Sequence, residues 1–208
     1  MNFNPWVSIW LKPRATMKEV FERKPKHTFL LIYIGTISTT LNRASTSYIG
    51  DDFATNMVSI LTLCLFLTII GALITYFIAP SILRWVGTWL GGEGDNTRIR
   101  YALSHSLIPS IYILVFTWIP MLFLFGIENF TLLTPKIDND PVLLMTLLFF
   151  GFIQITLGIW EFIIFLKCFG EALQFSAWKS LLTVIIIFVA LMVLIFLFGL
   201  FITTISFI

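Results

Sequence analysis

The sequence predicts an all-α integral membrane protein, a bundle of five transmembrane helices preceded by short amphipathic interfacial helices. The first observation is the composition: hydrophobic residues make up 58% of the 208 residues and charged residues 12%, about half the usual charged share. The mean hydropathy of +0.96 corresponds to more apolar surface than a soluble domain of this size can bury. A soluble fold is therefore excluded.

The second observation is the length of the apolar runs. A helix needs about 20 mainly apolar residues to cross a bilayer. Five segments meet this requirement, at residues 28–47, 57–80, 103–126, 142–166 and 180–206. They define a transmembrane domain at 28–208, and a cytoplasmic or interfacial segment at 1–27 precedes it.

The first of the five segments is the least apolar, since Ser, Thr, Asn and Arg dominate it after Leu41. Hydroxyl groups can bond back to carbonyls of their own helix, which makes them tolerable between helices and unfavourable against lipid. We therefore expect this helix to be packed among the others.

Residues 1–27 are predicted to form two short helices at the membrane surface. Asn4 and Pro5 provide a helix N-cap followed by a first-turn proline. Trp6 and Trp10 then fall on one face at helical spacing, which suits the headgroup layer. The alternative is a linker that becomes ordered only in a crystal or a complex.

The second of these helices is predicted to begin at a capping box that runs from Thr16 to Glu19. Met17, Val20 and Phe21 share one face of it, at the spacing of an amphipathic helix. Lys18, Glu22 and Arg23 point away from this face, an arrangement that suits the headgroup layer.

The distribution of Lys and Arg predicts the orientation, because these residues remain on the cytoplasmic side. Eleven of the 13 fall in the N-terminal segment, in the loop after the second apolar segment or in the loop after the fourth. The exceptions are Arg43 and Lys136. The N-terminus is thus predicted to be cytoplasmic and the C-terminus, after five crossings, to be outside.

Tryptophan side chains favour the same boundary, because an indole is apolar and its N–H needs a polar partner. The expected interfacial anchors are Trp6, Trp10, Trp85, Trp89 and Trp178. The one-turn spacing of Trp85 and Trp89 also predicts that the second helix continues past Pro80.

Glu161 is the most informative single residue, because a carboxyl group inside an apolar segment needs a partner, a proton or water. Gln154, Gly158 and Glu161 are spaced by four and three, so they form one stripe that we expect to face the bundle interior. The candidate partners in a cytoplasm-side polar cluster are Arg84, His105, Arg98 and Arg100. Such a cluster is either a proton- or ligand-linked site or a structural contact that fixes helix register.

The loop after the second segment carries Gly91, Gly92 and Gly94, which allow the chain to turn where φ is positive. Asp95 or Asn96 can cap the helix that follows. No strand precedes these glycines and no Gly-Lys-Ser/Thr follows them, so the loop does not match a nucleotide-binding motif.

Two arginines and two prolines follow this loop. Arg98 and Arg100 hold it on the cytoplasmic side and offer charge to phosphates or to a partner. Pro109 and Pro120 each remove a backbone hydrogen bond from the third helix, which produces either a gating hinge or a static bend.

Neither a cofactor nor catalysis is expected. The two histidines, His27 and His105, have no metal ligand at helical spacing, and Cys64 and Cys168 are isolated thiols that suit packing. No serine stands in a nucleophile elbow. The net charge of +2 is too small to indicate nucleic acid binding.

Three stretches carry a resemblance to a known family: NPWVSIWLKPRATMKEVFERKP, LGGEGDNTRIRYALSHSLIPSI and GIWEFIIFLKCFGEALQFSAWKSLL. The chain resembles the Yip1-domain family of five-span membrane proteins in its bacterial form. Eukaryotic members of that family are Golgi and ER proteins that associate with Rab GTPases and have a long cytosolic N-terminal region with an Asp-Leu-Tyr-Gly-Pro-like motif. This chain has 27 residues there and lacks the motif.

The resemblance therefore implies a multi-pass protein of a bacterial plasma membrane. Some bacterial relatives accompany ABC-type export systems, and the family has no established catalytic residues to carry over. The resulting prediction is a non-catalytic accessory or assembly subunit, with the lipid bilayer and an exporter component or a second copy as partners. The alternative is a small transporter, channel or lipid-handling protein that uses the Gln154–Glu161 stripe.

Overall fold

The computed structural model describes residues 4–52 and 56–206, and every regular element within these ranges is a helix. The N-terminal segment forms α1 (Pro5–Leu11) and α2 (Pro13–Arg23). Asn4 caps α1 as predicted, since its side-chain oxygen accepts a hydrogen bond from the Trp6 N–H at 3.0 Å.

The predicted capping box at Thr16 is wrong. The helix begins three residues earlier because Pro13 occupies its first turn, where the fixed φ of proline favours helix initiation. Thr16 lies inside α2, and its hydroxyl donates to the Lys12 carbonyl at 2.8 Å and contacts the Ser8 hydroxyl at 2.9 Å.

The two N-terminal helices pack against the rest of the bundle. Ile9, Met17 and Val20 are fully or almost fully buried, in one apolar cluster with Phe169 of a later helix. Phe21 is half-buried against the same cluster. The apolar face of α2 is therefore covered by the helix bundle itself.

The next helices are α3 (Thr28–Thr46) and α4 (Ile49–Asp52). One face of α3 is buried, at Ile32, Gly35, Ser38, Leu41 and Ala44, and α3 packs against three later helices. Its hydroxyls bond back to carbonyls one turn earlier, as expected: Thr36 to Ile32 at 2.7 Å and Thr40 to Thr36 at 3.0 Å.

The second apolar segment is one continuous helix made of α5 (Met57–Leu73), a π-helical turn (Ile74–Ile78) and α6 (Ala79–Trp89). The predicted continuation past Pro80 is confirmed. The π-helical turn lies immediately before this proline, which cannot donate a backbone hydrogen bond.

The third segment contains α7 (Asn96–Ser106), α8 (Ile108–Ile113), a π-helical turn (Leu114–Trp118), α9 (Ile119–Phe125) and a 3₁₀ turn (Gly126–Phe130). It begins earlier than the predicted residue 103 because Asp95 caps it: the carboxylate accepts the Arg98 N–H at 2.7 Å. Of the two predicted caps, Asp95 is thus the one used.

The loop before α7 uses its glycines in two ways. Gly91 has φ of +80°, as predicted for a turn that favours glycine. Gly94 lies so close to the backbone carbonyl of Ala172 and the side chain of Leu173 that a β-carbon would collide with both. Glycine is therefore required at position 94 because two chain segments come close together there, and not because of its φ.

The remaining helices are α10 (Pro135–Asp138), α11 (Pro141–Ala172) and α12 (Ala177–Ser206). With 32 residues, α11 is about 48 Å long at 1.5 Å per residue. It packs against α2, α7, α8 and α12, and therefore connects most of the bundle.

Within the described part of the chain, four helices are long and apolar enough to cross a membrane: Met57–Trp89, Asn96–Phe130, Pro141–Ala172 and Ala177–Leu200. They correspond to four of the five predicted spans. The remaining predicted span corresponds to α3 (Thr28–Thr46), which is a continuous helix. It is less apolar than these four because its second half is polar.

Candidate functional site

A cavity of about 370 Å³ with polar and apolar walls lies between α3, the third span and α11. Its walls contain eight polar side chains: Ser38, Thr39, Asn42, Thr75, Ser106, Ser110, Gln154 and Glu161. The aromatic side chains of Trp118, Phe162 and Phe165 and the aliphatic side chains of Leu103, Leu107 and Ile113 also line it. Cavities between helices of a bundle are common places for ligands.

The predicted stripe on α11 lies along one wall of this cavity. Gln154, Gly158 and Glu161 all line it, because spacings of four and three keep residues on one helix face. No atom lies within 4 Å of the place where a β-carbon of Gly158 would stand. Gly158 therefore leaves space between the two polar side chains.

Three hydrogen bonds hold this stripe to the third span, and one of them runs from the Gln154 amide to Sδ of Met121 at 3.3 Å. The Ser110 hydroxyl donates to Oε2 of Glu161 at 2.6 Å. The side-chain amide of Gln154 donates to Oγ1 of Thr117 at 3.1 Å. The Thr117 hydroxyl donates in turn to the Ile113 carbonyl at 2.7 Å, so its oxygen is oriented to accept.

Glu161 has a hydroxyl partner in place of the cationic partners expected from the sequence. Arg100 donates from Nε to the Tyr76 carbonyl at 3.0 Å, and the Arg98 guanidinium lies 4.6 Å from the Phe21 ring centre. Both arginines precede Ser110 by ten residues or more, which is about 15 Å or more along a helix. They therefore lie nearer the loop than Glu161 does.

The other two expected partners also lie elsewhere. Nδ1 of His105 donates to the Tyr101 carbonyl at 2.9 Å and contacts the Ser104 hydroxyl at 3.0 Å. Arg84 is exposed on α6. His105 is five residues before Ser110, so it points to a different face of the helix.

The two prolines proposed as hinges both lie next to irregular backbone. Pro109 is in the first turn of α8, which follows a break at Leu107. Pro120 follows the π-helical turn Leu114–Trp118. Ser110 and Thr117, two partners of the α11 stripe, lie between the two prolines, and Thr117 belongs to the π-helical turn itself. Motion at either proline stays a prediction.

The expected tryptophan anchors differ in their surroundings. Trp6, Trp85, Trp89 and Trp178 are exposed, whereas Trp10 packs edge-on against Tyr112 with ring centres 5.3 Å apart. Their role at a membrane surface stays a prediction.

Several residues of the site were not found from the sequence. Ser106 and Ser110 are one turn apart, and Ser38 and Asn42 have the same spacing on α3. The sequence signal that could have identified them is a pair of polar residues at i and i+4 inside an apolar segment. The indole N–H of Trp118 is buried and has no hydrogen-bond partner among the described residues.

A second set of contacts that the sequence did not predict lies at the cation-rich end of the bundle. Arg14 of α2 donates to the Phe175 carbonyl at 2.8 Å, and its guanidinium is 3.6 Å from the Glu171 carboxylate. This contact joins the N-terminal segment to the turn between α11 and α12. Its charge partners are 157 residues apart in sequence, so spacing could not reveal it.

The donor set of the cavity suits a cation or a ligand with several hydrogen-bonding groups. It offers one carboxylate, two amides and several hydroxyls. Within residues 4–52 and 56–206, no three His, Cys, Asp or Glu side chains come together as a metal site would require. A metal centre of the usual kind is therefore not formed there.

Long apolar helices around a polar interior define a polytopic membrane protein. The Yip1 domain matches residues 7–199, and the chain belongs to the Yip1 domain family, whose members are generally non-catalytic. The resemblance noted in the sequence is thus confirmed. No curated protein and no solved structure gives a match to the chain.

Proposed function

We propose that this protein is a non-catalytic accessory or assembly subunit of a membrane complex in a bacterial plasma membrane, with an ABC-type exporter as the candidate complex. Its partner contacts are a membrane helix of that complex or, alternatively, a second copy of the chain. The family membership supports the membrane location and the non-catalytic role.

The observation that carries the proposal is the exposure of the outer half of α12. Every residue from 188 to 199 is exposed, and the large hydrophobic side chains among them are 52–66% accessible. These positions cover more than three helical turns, so all faces of the helix are open. Helices associate in lipid by close packing, and this length of α12 is available for such packing with another chain.

Site-specific photocrosslinking tests this proposal. A photoreactive amino acid at position 194, within the open half of α12, should crosslink to a defined membrane protein in native membranes. The matched control is position 155 on α11, because Ile155 has an exposed fraction of 66% against 65% for Leu194. We expect lipid adducts alone from position 155.

Crosslinking of position 194 to lipid alone would contradict the proposal. Crosslinking to a second copy of the chain would show that the partner is another molecule of this protein and not an exporter component.

We further propose five crossings, with residues 1–27 cytoplasmic or interfacial, residues 28–208 as the membrane domain and the C-terminus outside. The 19 residues of α3 reach about 28 Å, close to the thickness of the hydrocarbon core. Lys179 donates to the Leu90 carbonyl at 2.9 Å, and Arg14 reaches Phe175. These contacts join the cation-rich segments at one end, which supports a shared cytoplasmic side.

Alkaline phosphatase fused after residue 208 tests this topology. The fusion should be active if the C-terminus is outside, and an inactive fusion would contradict the topology.

A second candidate function is transport or lipid handling through the polar cavity. The observation in its favour is that Glu161 lines the cavity and that Ser110 is its one hydrogen-bond partner in the described part of the chain. Replacing Glu161 by Gln keeps the shape and removes the charge. Loss of ion or lipid movement in liposomes, with folding intact, would support this function. Movement at the original rate would exclude Glu161 from it.

A further inference from the structure

A cavity of about 270 Å³ lies where the end of α2, the start of α3, the first π-helical turn and the start of α7 meet. We propose that it binds the phosphate group of an anionic lipid headgroup. This inference does not rest on the partner complex or on the Glu161 cavity.

The charge of the lining is the first reason. Lys24, Lys26 and Arg100 line the cavity, and among the described residues that line it none is acidic. The adjoining cavity of about 690 Å³ is different, because acidic side chains stand there beside the cations: Glu22, Asp95 and Glu171. Lys24 lines both cavities, whereas Lys26 and Arg100 line only the smaller one. The smaller cavity therefore has a net positive lining, which attracts a phosphate group.

The position of Arg100 is the second reason. Its Nε donates to the Tyr76 carbonyl at 3.0 Å. That carbonyl is four residues before Pro80, which has no N–H to occupy it. The guanidinium also lies 4.9 Å from the Tyr76 ring centre. These two contacts fix the Arg100 side chain. Its two terminal nitrogens form the planar fork that binds phosphate oxygens.

Two helix N-termini border the same cavity; that of α7 is already capped by the Asp95 carboxylate, so that of α3 is the one that adds to these cations. Thr28 is the first residue of the 19-residue helix α3, and Thr97 is the second residue of the 11-residue helix α7. Both line the cavity. Backbone N–H groups in a first helical turn have no partner within their helix, and the helix dipole favours an anion there.

The backbone at Lys24 is unusual for a lysine. This residue ends α2 with φ of +48°, in the left-handed region where Gly or Asn is usually preferred. A lysine at this position has an energetic cost, and Lys24 is one of the residues that line the cavity. A contribution of the Lys24 charge to anion binding would explain why lysine occupies this position in spite of the cost.

The surroundings of the cavity favour a lipid over free phosphate. Phe29 and Leu30 follow Thr28 directly and are exposed, and Phe77 next to Tyr76 is exposed as well. Phe29 and Tyr76 pack edge to face with ring centres 5.6 Å apart. A phosphate in the cavity would therefore stand beside open apolar surface that acyl chains can cover.

Native mass spectrometry of the full chain in mild detergent tests the proposal, with phosphatidylglycerol, phosphatidylcholine and inorganic phosphate as separate probes. We expect preferential binding of phosphatidylglycerol. The variant Lys24→Asn/Lys26→Gln should weaken this binding roughly ten- to thirty-fold, at about fivefold per lysine near an anionic surface. Asn tolerates positive φ better than Lys, so the variant should fold.

The matched control is Lys12→Gln/Lys18→Gln, which removes two charges from the same segment outside this cavity. It should leave phosphatidylglycerol binding within about twofold. Lys26→Glu, which reverses one charge, should weaken binding at least as much as Lys26→Gln does.

Three results would overturn the proposal. They are equal binding of phosphatidylcholine, an equal loss of binding in the control variant, and unchanged binding in the variants of Lys24 and Lys26. Displacement of bound phosphatidylglycerol by inorganic phosphate alone, at a similar affinity, would assign the cavity to free phosphate and overturn the lipid assignment.

Discussion

The helices α3 and α12 show opposite relations between hydropathy and burial. α3 carries many hydroxyls and an arginine, yet one of its faces is buried against three other helices. α12 is the most apolar of the long helices, yet residues 188–199 are exposed. In lipid, apolar side chains gain little by leaving the solvent, so close packing and hydrogen bonds hold helices together. Hydropathy by itself therefore does not predict which helix of this protein is buried.

The largest expected effect concerns Gly35 on α3. A β-carbon there would stand 2.7 Å from Cβ of Leu107, so Gly35→Val forces α3 away from the third span. We expect a loss of about 3 kcal/mol in the free energy of unfolding, measured by denaturant titration in mild detergent. The control Gly151→Val, where nothing lies within 4 Å, should change stability by less than about 0.5 kcal/mol. Equal effects would show that α3 is not closely packed.

The next effect concerns side-chain packing. Ile32 of α3 is fully buried, whereas Leu194 of α12 is 65% exposed. Ile32→Ala should cost about 2 kcal/mol, at the low end of the range for buried side chains because the reference solvent is lipid. Leu194→Ala should change the stability of the isolated protein by less than about 0.5 kcal/mol. Thermal unfolding in detergent measures both, and a large loss in Leu194→Ala would place α12 inside the bundle.

The smallest effect concerns one hydrogen bond between helices. The buried Thr68 of α5 donates to Oγ1 of Thr40 on α3 at 3.0 Å. Thr68→Val should cost about 0.6 kcal/mol, the average for interhelical side-chain bonds in membranes. Thr156→Val on α11 is the control, because that exposed hydroxyl bonds only to the Phe152 carbonyl of its own helix. A double-mutant cycle with Thr40→Val isolates the pair, and zero coupling would contradict its contribution.

Local signals predicted local structure well. The apolar runs located the four long helices, and Asn4 and Asp95 cap helices as their positions indicated. The capping box at Thr16 failed because Pro13 supplied a competing start signal three residues earlier. Within one helix, periodicity also placed Gln154, Gly158 and Glu161 on one wall of the cavity.

The sequence by itself determined that this chain is a helical membrane protein, since chain length, apolar runs and capping groups act over a few residues. Only the tertiary structure decided that Ser110 meets Glu161 and that Arg100 meets the carbonyl freed by Pro80. Such pairs depend on the rotation and the relative height of two helices. Those quantities depend on close contacts such as Gly35 against Leu107 and Gly94 against Ala172, which join residues far apart in the sequence.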